Sequence, residues 1–249
     1  SLGHYAQARN MLDRALVIRE KSLGRSNAET VATTLELARL LISQGELAQA
    51  KSLVSTLENN GFGSDPQSSA QISLESEILR ASGDFRGAAR AAERDLAEAT
   101  RDVRAGSFRR TAEAHLNAGL ALTRLANHSD ARRHLLEARR LFGMNSGKFN
   151  PQVANADDAL GHLERASRRA SEAVQYFAEA LEIRKQLPLA APVALAESFL
   201  QAGRSQLENL HPLDAIDLLA QAEEGFETLG LKRKLAQTQV LRGQALWLA

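Results

Sequence analysis

The sequence contains no cysteine, which excludes disulfides and any cysteine-based zinc site or thiol nucleophile. Aromatic residues make up only 4% of it, with one Trp and two Tyr. A core of that composition is built mostly from Leu and Ala, as packed helices are. Proline occurs five times, while Glu, Arg, Ala and Leu are frequent, a balance that predicts an all-α chain. The formal net charge is +1, so no surface-wide field attracts nucleic acid or an anionic membrane. No apolar run approaches the ~18 residues of a membrane span, and the first residues lack a signal-peptide pattern. These absences suggest a cytoplasmic protein that binds neither nucleic acid nor membrane.

What is present is a repeat. Gly3-x-Tyr5-x-x-Ala8, Gly45-x-Leu47-x-x-Ala50 and Gly83-x-Phe85-x-x-Ala88 share one pattern, and later copies lose the Gly but keep the Ala at 131, 173 and 215. Successive alanines lie 42, 38, 43, 42 and 42 residues apart, a period that marks stacked structural repeats. A second small residue follows seven positions on at Ala15, Ala138, Ala180 and Ala222; small residues at helical offsets let neighbouring helices approach closely. The third copy is short and carries Asp95 at that place.

Turn and cap signals divide each repeat into two helices. The half repeat 2–23 is followed by repeats at about 26–59, 65–104, 107–142, 150–186 and 191–229, with a last helix at 231–248. Ser26 and Glu29 have capping-box spacing. Asp84 has the place of a helix cap. Pro66, Pro151, Pro192 and Pro212 stand where helices begin, and Pro188 falls in a linker. Asn60–Ser64 and Gly143–Gly147 read as loops. The chain opens inside one repeat and closes inside another, so it reads as one array within a longer protein. Apolar surface at its two ends, Leu246 and Trp247 included, could support end-to-end self-association.

Residues 15–50, with the phrase AL-x-IRE-x-x-LG followed by VA-x-TL-x-LA-x-L-x-x-QG-x-x-x-A, resemble a tetratricopeptide repeat of the ~42-residue kinesin-light-chain type. The phrase returns as ALEIR at Ala180–Arg184. Similar repeats occur in bacterial regulatory proteins and beside bacterial kinases. The resemblance implies a right-handed superhelical solenoid of antiparallel helix pairs whose first helices line a concave groove. It implies a scaffold that holds a peptide or partner protein, or alternatively a ligand- or peptide-sensing regulatory domain. Repeats of this type usually carry an Asn pair before the "LA" of the first helix. Here Leu35-Glu36 stands there, and Asn117 keeps one of the two.

Chemistry-bearing motifs are few. Gly143-Met-Asn-Ser-Gly147-Lys148 lacks the first Gly and the closing Ser or Thr of a phosphate loop, and follows a helix rather than a strand. His4, His115, His128, His134, His162 and His211 show no metal-ligand spacing. No Ser lies in G-x-S-x-G. No enzyme activity, metal or cofactor is implied. The sequon Asn127-His128-Ser129 falls in a tight turn. The basic doublets Arg109-Arg110, Arg132-Arg133, Arg139-Arg140 and Arg168-Arg169 read as solvated helix faces. The strongest functional signal is a ladder on the first helices: Glu36 and Arg39, Glu77 and Arg80, Asn117 and Arg124, then Asp158, His162 and Arg165, then Gln201 and Arg204. Leu35, Leu116 and Leu200 would supply apolar contact between them. Guanidinium groups grip carboxylates bidentately and also bond peptide carbonyls.

Overall fold

The computed structural model describes residues 2–58, 66–101, 107–147, 149–187 and 192–249. Among them lie twelve α-helices and no strand. The chain divides into two compact units, Ser1–Leu125 and Ala126–Ala249.

The first unit contains α1 (Leu2–Leu23), α2 (Ala28–Gln44), α3 (Leu47–Glu58), α4 (Pro66–Ala81), α5 (Phe85–Arg101) and α6 (Ser107–Arg124). Consecutive helices pack pairwise, and α2, α4 and α6 lie side by side as first helices. Val31, Leu35, Ala38, Leu41, Ala50, Val54, Leu57, Leu74 and Ile78 form its main core, with Leu12 and Leu16 of α1 packed against it. The second unit contains α7 (His128–Ser146), α8 (Pro151–Ala166), α9 (Ala170–Gln186), α10 (Pro192–Glu208), α11 (Pro212–Thr228) and α12 (Lys232–Leu248). Here α9 packs against both α8 and α10, and α11 against both α10 and α12. Its core joins Phe177, Leu181, Phe199, Leu200, Leu219 and Phe226 with alanines 173, 196, 202, 215, 222 and 245.

From α3 onward the alanine register has the packing role expected of it, whereas Ala8 and Ala15 of α1 stay partly exposed. Ala50, Ala88, Ala131, Ala173 and Ala215 are at most 1% exposed, and Ala138, Ala180 and Ala222 are fully buried. A larger side chain there would push the paired helices apart.

The turns explain how later copies dispense with Gly. At Gly45 the backbone is left-handed, and two bonds close the helix: Gly45 N–H donates to Ile42 O and Glu46 N–H to Leu41 O. The same paired bonds, a Schellman closure, recur around Gly83, Arg168, Leu210 and Gly230. Arg168 and Leu210 therefore hold φ of 59° and 64°, and Ala126 holds 57°, a conformation that costs an L-residue about 1–2 kcal/mol. The closure is kept where its preferred residue is lost.

Prolines 66, 151, 192 and 212 each open a helix. Asn150 accepts from Val153 N–H through its side chain, and Asp84 accepts from Gly87 N–H at 2.8 Å. Two expectations are corrected. The cap of α2 is Asn27, whose side chain accepts from Glu29 N–H, rather than Ser26. The stretch Gly143–Gly147 is not a loop: α7 runs to Ser146 and Gly147 closes it. Buried Leu141 and Phe142 anchor these last turns, and one Gly within a helix costs only about 1 kcal/mol. The expected loop 60–64 and Pro188 lie outside the described residues.

Candidate functional site

In the first unit one ladder pair satisfies itself, and the other ladder residues meet groups outside the ladder or have no ion-pair partner among the described residues. Glu36 and Arg39 are exposed one turn apart on α2 and pair at 2.7 Å. Glu77 and Arg80 of α4 are partly exposed and have no ion-pair partner among the described residues. Asn117 of α6 donates to Ser73 Oγ of α4 at 2.9 Å. The Arg124 guanidinium lies 4.8 Å from the centroid of the Phe85 ring, a cation–π contact. Leu35 does not face a ligand: it is 5% exposed and part of the core. Leu200 is likewise core, at 1%, whereas Leu116 is half-buried.

The second unit brings four of the expected residues together. His162 and Arg165 project from α8, and Gln201 and Arg204 from α10. Arg165 reaches Gln201 Oε1 at 3.4 Å and His162 Nδ1 at 3.3 Å. Arg204 Nε donates to Glu208 Oε1 at 2.9 Å, while Arg165 lies 3.9 Å from the same carboxylate. The His162 imidazole stands edge-on against Phe177, with centroids 5.0 Å apart. Burial, then Arg165 and Arg204, push the His162 pKa down to about 4, so the ring is neutral at physiological pH. Burial, then the neighbouring Arg204, also lowers the Arg165 pKa, against the pull of Glu208. Two guanidiniums thus share one carboxylate, and their side chains stay 27% and 36% exposed. The group is a partly desolvated donor array with surplus positive charge, suited to a carboxylate or a peptide carbonyl.

Asp158 is not part of that group. It turns to α9, accepting from Arg184 Nη2 at 2.6 Å. Arg184 is buried and also donates to Ser198 Oγ and to Asn155 Oδ1. Burial raises the Asp158 pKa against the opposing pull of Arg184. This carboxylate is engaged by its own neighbours.

The basic doublets are not simply solvated faces. Arg132 donates to Glu164, which is fully buried, and Arg169 lies 3.9 Å from it. Arg139 bridges fully buried Asp157 to Glu179. Arg110 pairs with Asp95 at 3.0 Å and with Glu98 at 2.8 Å. Arg109, Arg133 and Arg140 make exposed pairs within their own helices. Periodicity could not reveal these networks, because their partners lie up to 40 residues away. Glu208, also missed, carries a local signal: it stands four residues after Arg204.

Among the described residues no group of three or more His, Asp or Glu could hold a metal ion, and no helix is long and apolar enough to cross a membrane.

Tetratricopeptide repeat profiles match residues 110–186 and residues 1–29. The chain carries tetratricopeptide repeats. Among curated protein sequences, none matches it. Among solved structures, its repeats are similar to BtubC (BKLC) from P. vanneervenii, at 20% identity and TM-score 0.70 over 91% of each chain. They are also similar to a putative kinesin light chain from Podosopora anserina, at 17% identity and TM-score 0.59 over 82% of this chain and 98% of that one. A third is a Rap protein complexed with competence and sporulation factor, at 16% identity and TM-score 0.54 over 99% and 74%. At these identities the tetratricopeptide likeness establishes a shared fold.

Proposed function

We propose that this repeat protein is a protein-interaction scaffold, and that the first-helix face of its second unit holds an acidic segment of a peptide or partner protein. The observation that carries the reading is the pair Arg165 and Arg204. It stands beside a neutral His162 and the Gln201 amide, with Glu208 as its one close carboxylate among the described residues. A ligand carboxylate entering here meets donors already partly desolvated and held in place, which lowers the ordering cost. One feature supports a protein or peptide ligand over a metabolite. The polar groups lie on two adjacent repeats, a span that suits an extended chain advancing about 3.3 Å per residue.

The probes are labelled twelve-residue peptides rich in Asp and Glu, each beside its Asn and Gln counterpart, titrated by fluorescence anisotropy. Acidic peptides should bind, and affinity should fall with salt. Replacing Arg165 and Arg204 with Gln should weaken binding about 10-fold or more, the loss expected for hydrogen bonds to a charged group. Equal binding of acidic and neutral peptides, or an unchanged double variant, would overturn the reading. A sensing role on the same fold would add a ligand-dependent shift in amide hydrogen exchange away from α8 and α10.

A further inference from the structure

The second helices α9 and α11 flank a groove whose floor is α10. Val174, Ala178 and Leu181 of α9, Ala202 of α10 and Leu218 of α11 line a cavity of about 190 Å³ there. One repeat earlier, 42 residues back, the same places carry Arg132, Leu136, Arg139, Leu160 and Tyr176. Each of these is larger than its later counterpart, and charged bridges cross that earlier groove. Arg132 donates to Glu164, and Arg139 joins Asp157 to Glu179. With Val174 and Leu181 in place of the two arginines, and Gln206 in place of Glu164, no such bridge forms between α9 and its neighbours. Ala178 and Ala202 leave the room that two leucines take up in the earlier copy.

The cavity is charged at one end. Val174, Ala178, Leu181 and Lys185 follow at spacings of four, three and four residues, one stripe of a helix. The Lys185 ammonium leans over α10, 5.3 Å from the centroid of the Phe199 ring, and has no ion-pair partner among the described residues. Glu182 also borders the cavity, but it accepts from Gln186 Nε2 at 2.7 Å. Gln186 lies about 100° round the helix from Lys185, so this bond draws the carboxylate off the stripe. The other end is uncharged. Helices α9 and α10 run antiparallel, with Ser171 meeting Asn209 and Arg184 meeting Ser198, which places the Gln206 amide at the Val174 end.

We infer that this cavity binds a small apolar carboxylate, with its body between Ala178, Ala202 and Leu218 and its anionic head at Lys185. The volume sets the size: a cavity of about 150 Å³ holds a benzene ring, so this one suits a single ring with one or two further carbons. The lining sets the character, an apolar body with one placed charge, as small-molecule sites have. Arg204 lies about 160° round α10 from both Ala202 and Gln206. The cavity and the Arg165–Arg204 group therefore use opposite sides of α10, and either can act without the other.

Titration of the isotope-labelled chain with 3-phenylpropionate to millimolar concentration, followed by backbone amide chemical shifts, tests this. Two further probes divide the ligand: 3-phenylpropionamide keeps the ring without the charge, and acetate keeps the charge without the ring. Ala178→Leu restores the leucine of the earlier groove, and Lys185→Gln removes the cation. Both positions are exposed, and circular dichroism should show wild-type helicity for both variants. The acid should give saturable shifts at 174–185 and around Ala202 and Leu218, and Ala178→Leu should abolish them. Acetate should give none. The amide probe, and the acid with Lys185→Gln, should each bind about 2–5-fold more weakly, the range of an exposed ion pair. No saturable shifts with the acid, shifts centred elsewhere, or undiminished binding by Ala178→Leu would overturn the site. Equal binding of acid and amide, or of the acid by wild type and Lys185→Gln, would overturn the carboxylate assignment.

Discussion

A methyl group at Gly161 and the same methyl group at Gly243 should have opposite effects on stability. Both glycines lie within helices, so Gly→Ala gains about 0.8–1 kcal/mol of helix propensity at either site. At Gly243 nothing lies within 4 Å of the new carbon, and the gain stands alone. At Gly161 three atoms of the Phe177 ring lie 2.8, 2.8 and 2.9 Å away, well inside ordinary contact. The ring has little room to retreat: Phe177 is fully buried and meets the His162 imidazole edge-on at 5.0 Å. Forcing a methyl group into such a site costs about 1–3 kcal/mol. Gly161→Ala should therefore be neutral to about 2 kcal/mol destabilising, and Gly243→Ala about 0.5–1 kcal/mol stabilising. The assay is urea unfolding followed by far-ultraviolet circular dichroism. Equal stabilisation by the two substitutions would refute the close approach of the Phe177 ring to Gly161.

Three further outcomes follow from the second unit. Burial, opposed by Arg139, raises the Asp157 pKa to about 6, so the folded chain holds this proton more tightly and Asp157 favours folding as pH falls from about 6 to 4. His162, lowered to about 4 from 6.5 by burial and the two arginines, disfavours folding over the same window. Each contribution is on the order of 3 kcal/mol. Relative to wild type, Asp157→Asn should thus gain stability as pH rises from 4 to 7 and His162→Gln should lose it; parallel curves in urea titrations across this range would contradict both. Arg132→Ala leaves Glu164 buried with, among the described residues, only Arg169 at 3.9 Å, and should destabilise by about 3 kcal/mol in the same assay. Leu210→Gly relieves a φ of 64° at a residue that is 85% exposed, and should raise the thermal midpoint by the equivalent of about 0.5–1 kcal/mol.

The helical register was legible because it rests on local rules. The buried alanines, the helix-opening prolines and the Asn150 and Asp84 caps each depend on neighbours within a few residues. The ladder was less legible, because one residue along a helix turns a side chain by about 100°. Leu35 and Leu200 stand ten residues before the left-handed Gly45 and Leu210, a place that falls inside the core at both sites. Asp158 stands ten before Arg168 and is drawn to Arg184 on the next helix. The grouping of His162, Arg165, Gln201 and Arg204 was foreseen as a face, but the sharing of Glu208 depends on how two separate repeats meet. Pairs such as Arg132 with Glu164, 32 residues apart, leave no periodic mark.

Those buried pairs bear on folding fidelity. A chain of similar helix hairpins can stack in the wrong order, or exchange a hairpin with another molecule, at little loss of apolar contact. Glu164, Asp157 and Asp95 are at most 1% exposed, and each meets its arginine only when the correct helix arrives beside it. A mismatched neighbour with Leu or Ala at that place would bury a bare carboxylate, costing several kcal/mol. The alanines let any two hairpins fit together, whereas the carboxylates give each hairpin in these networks its own address.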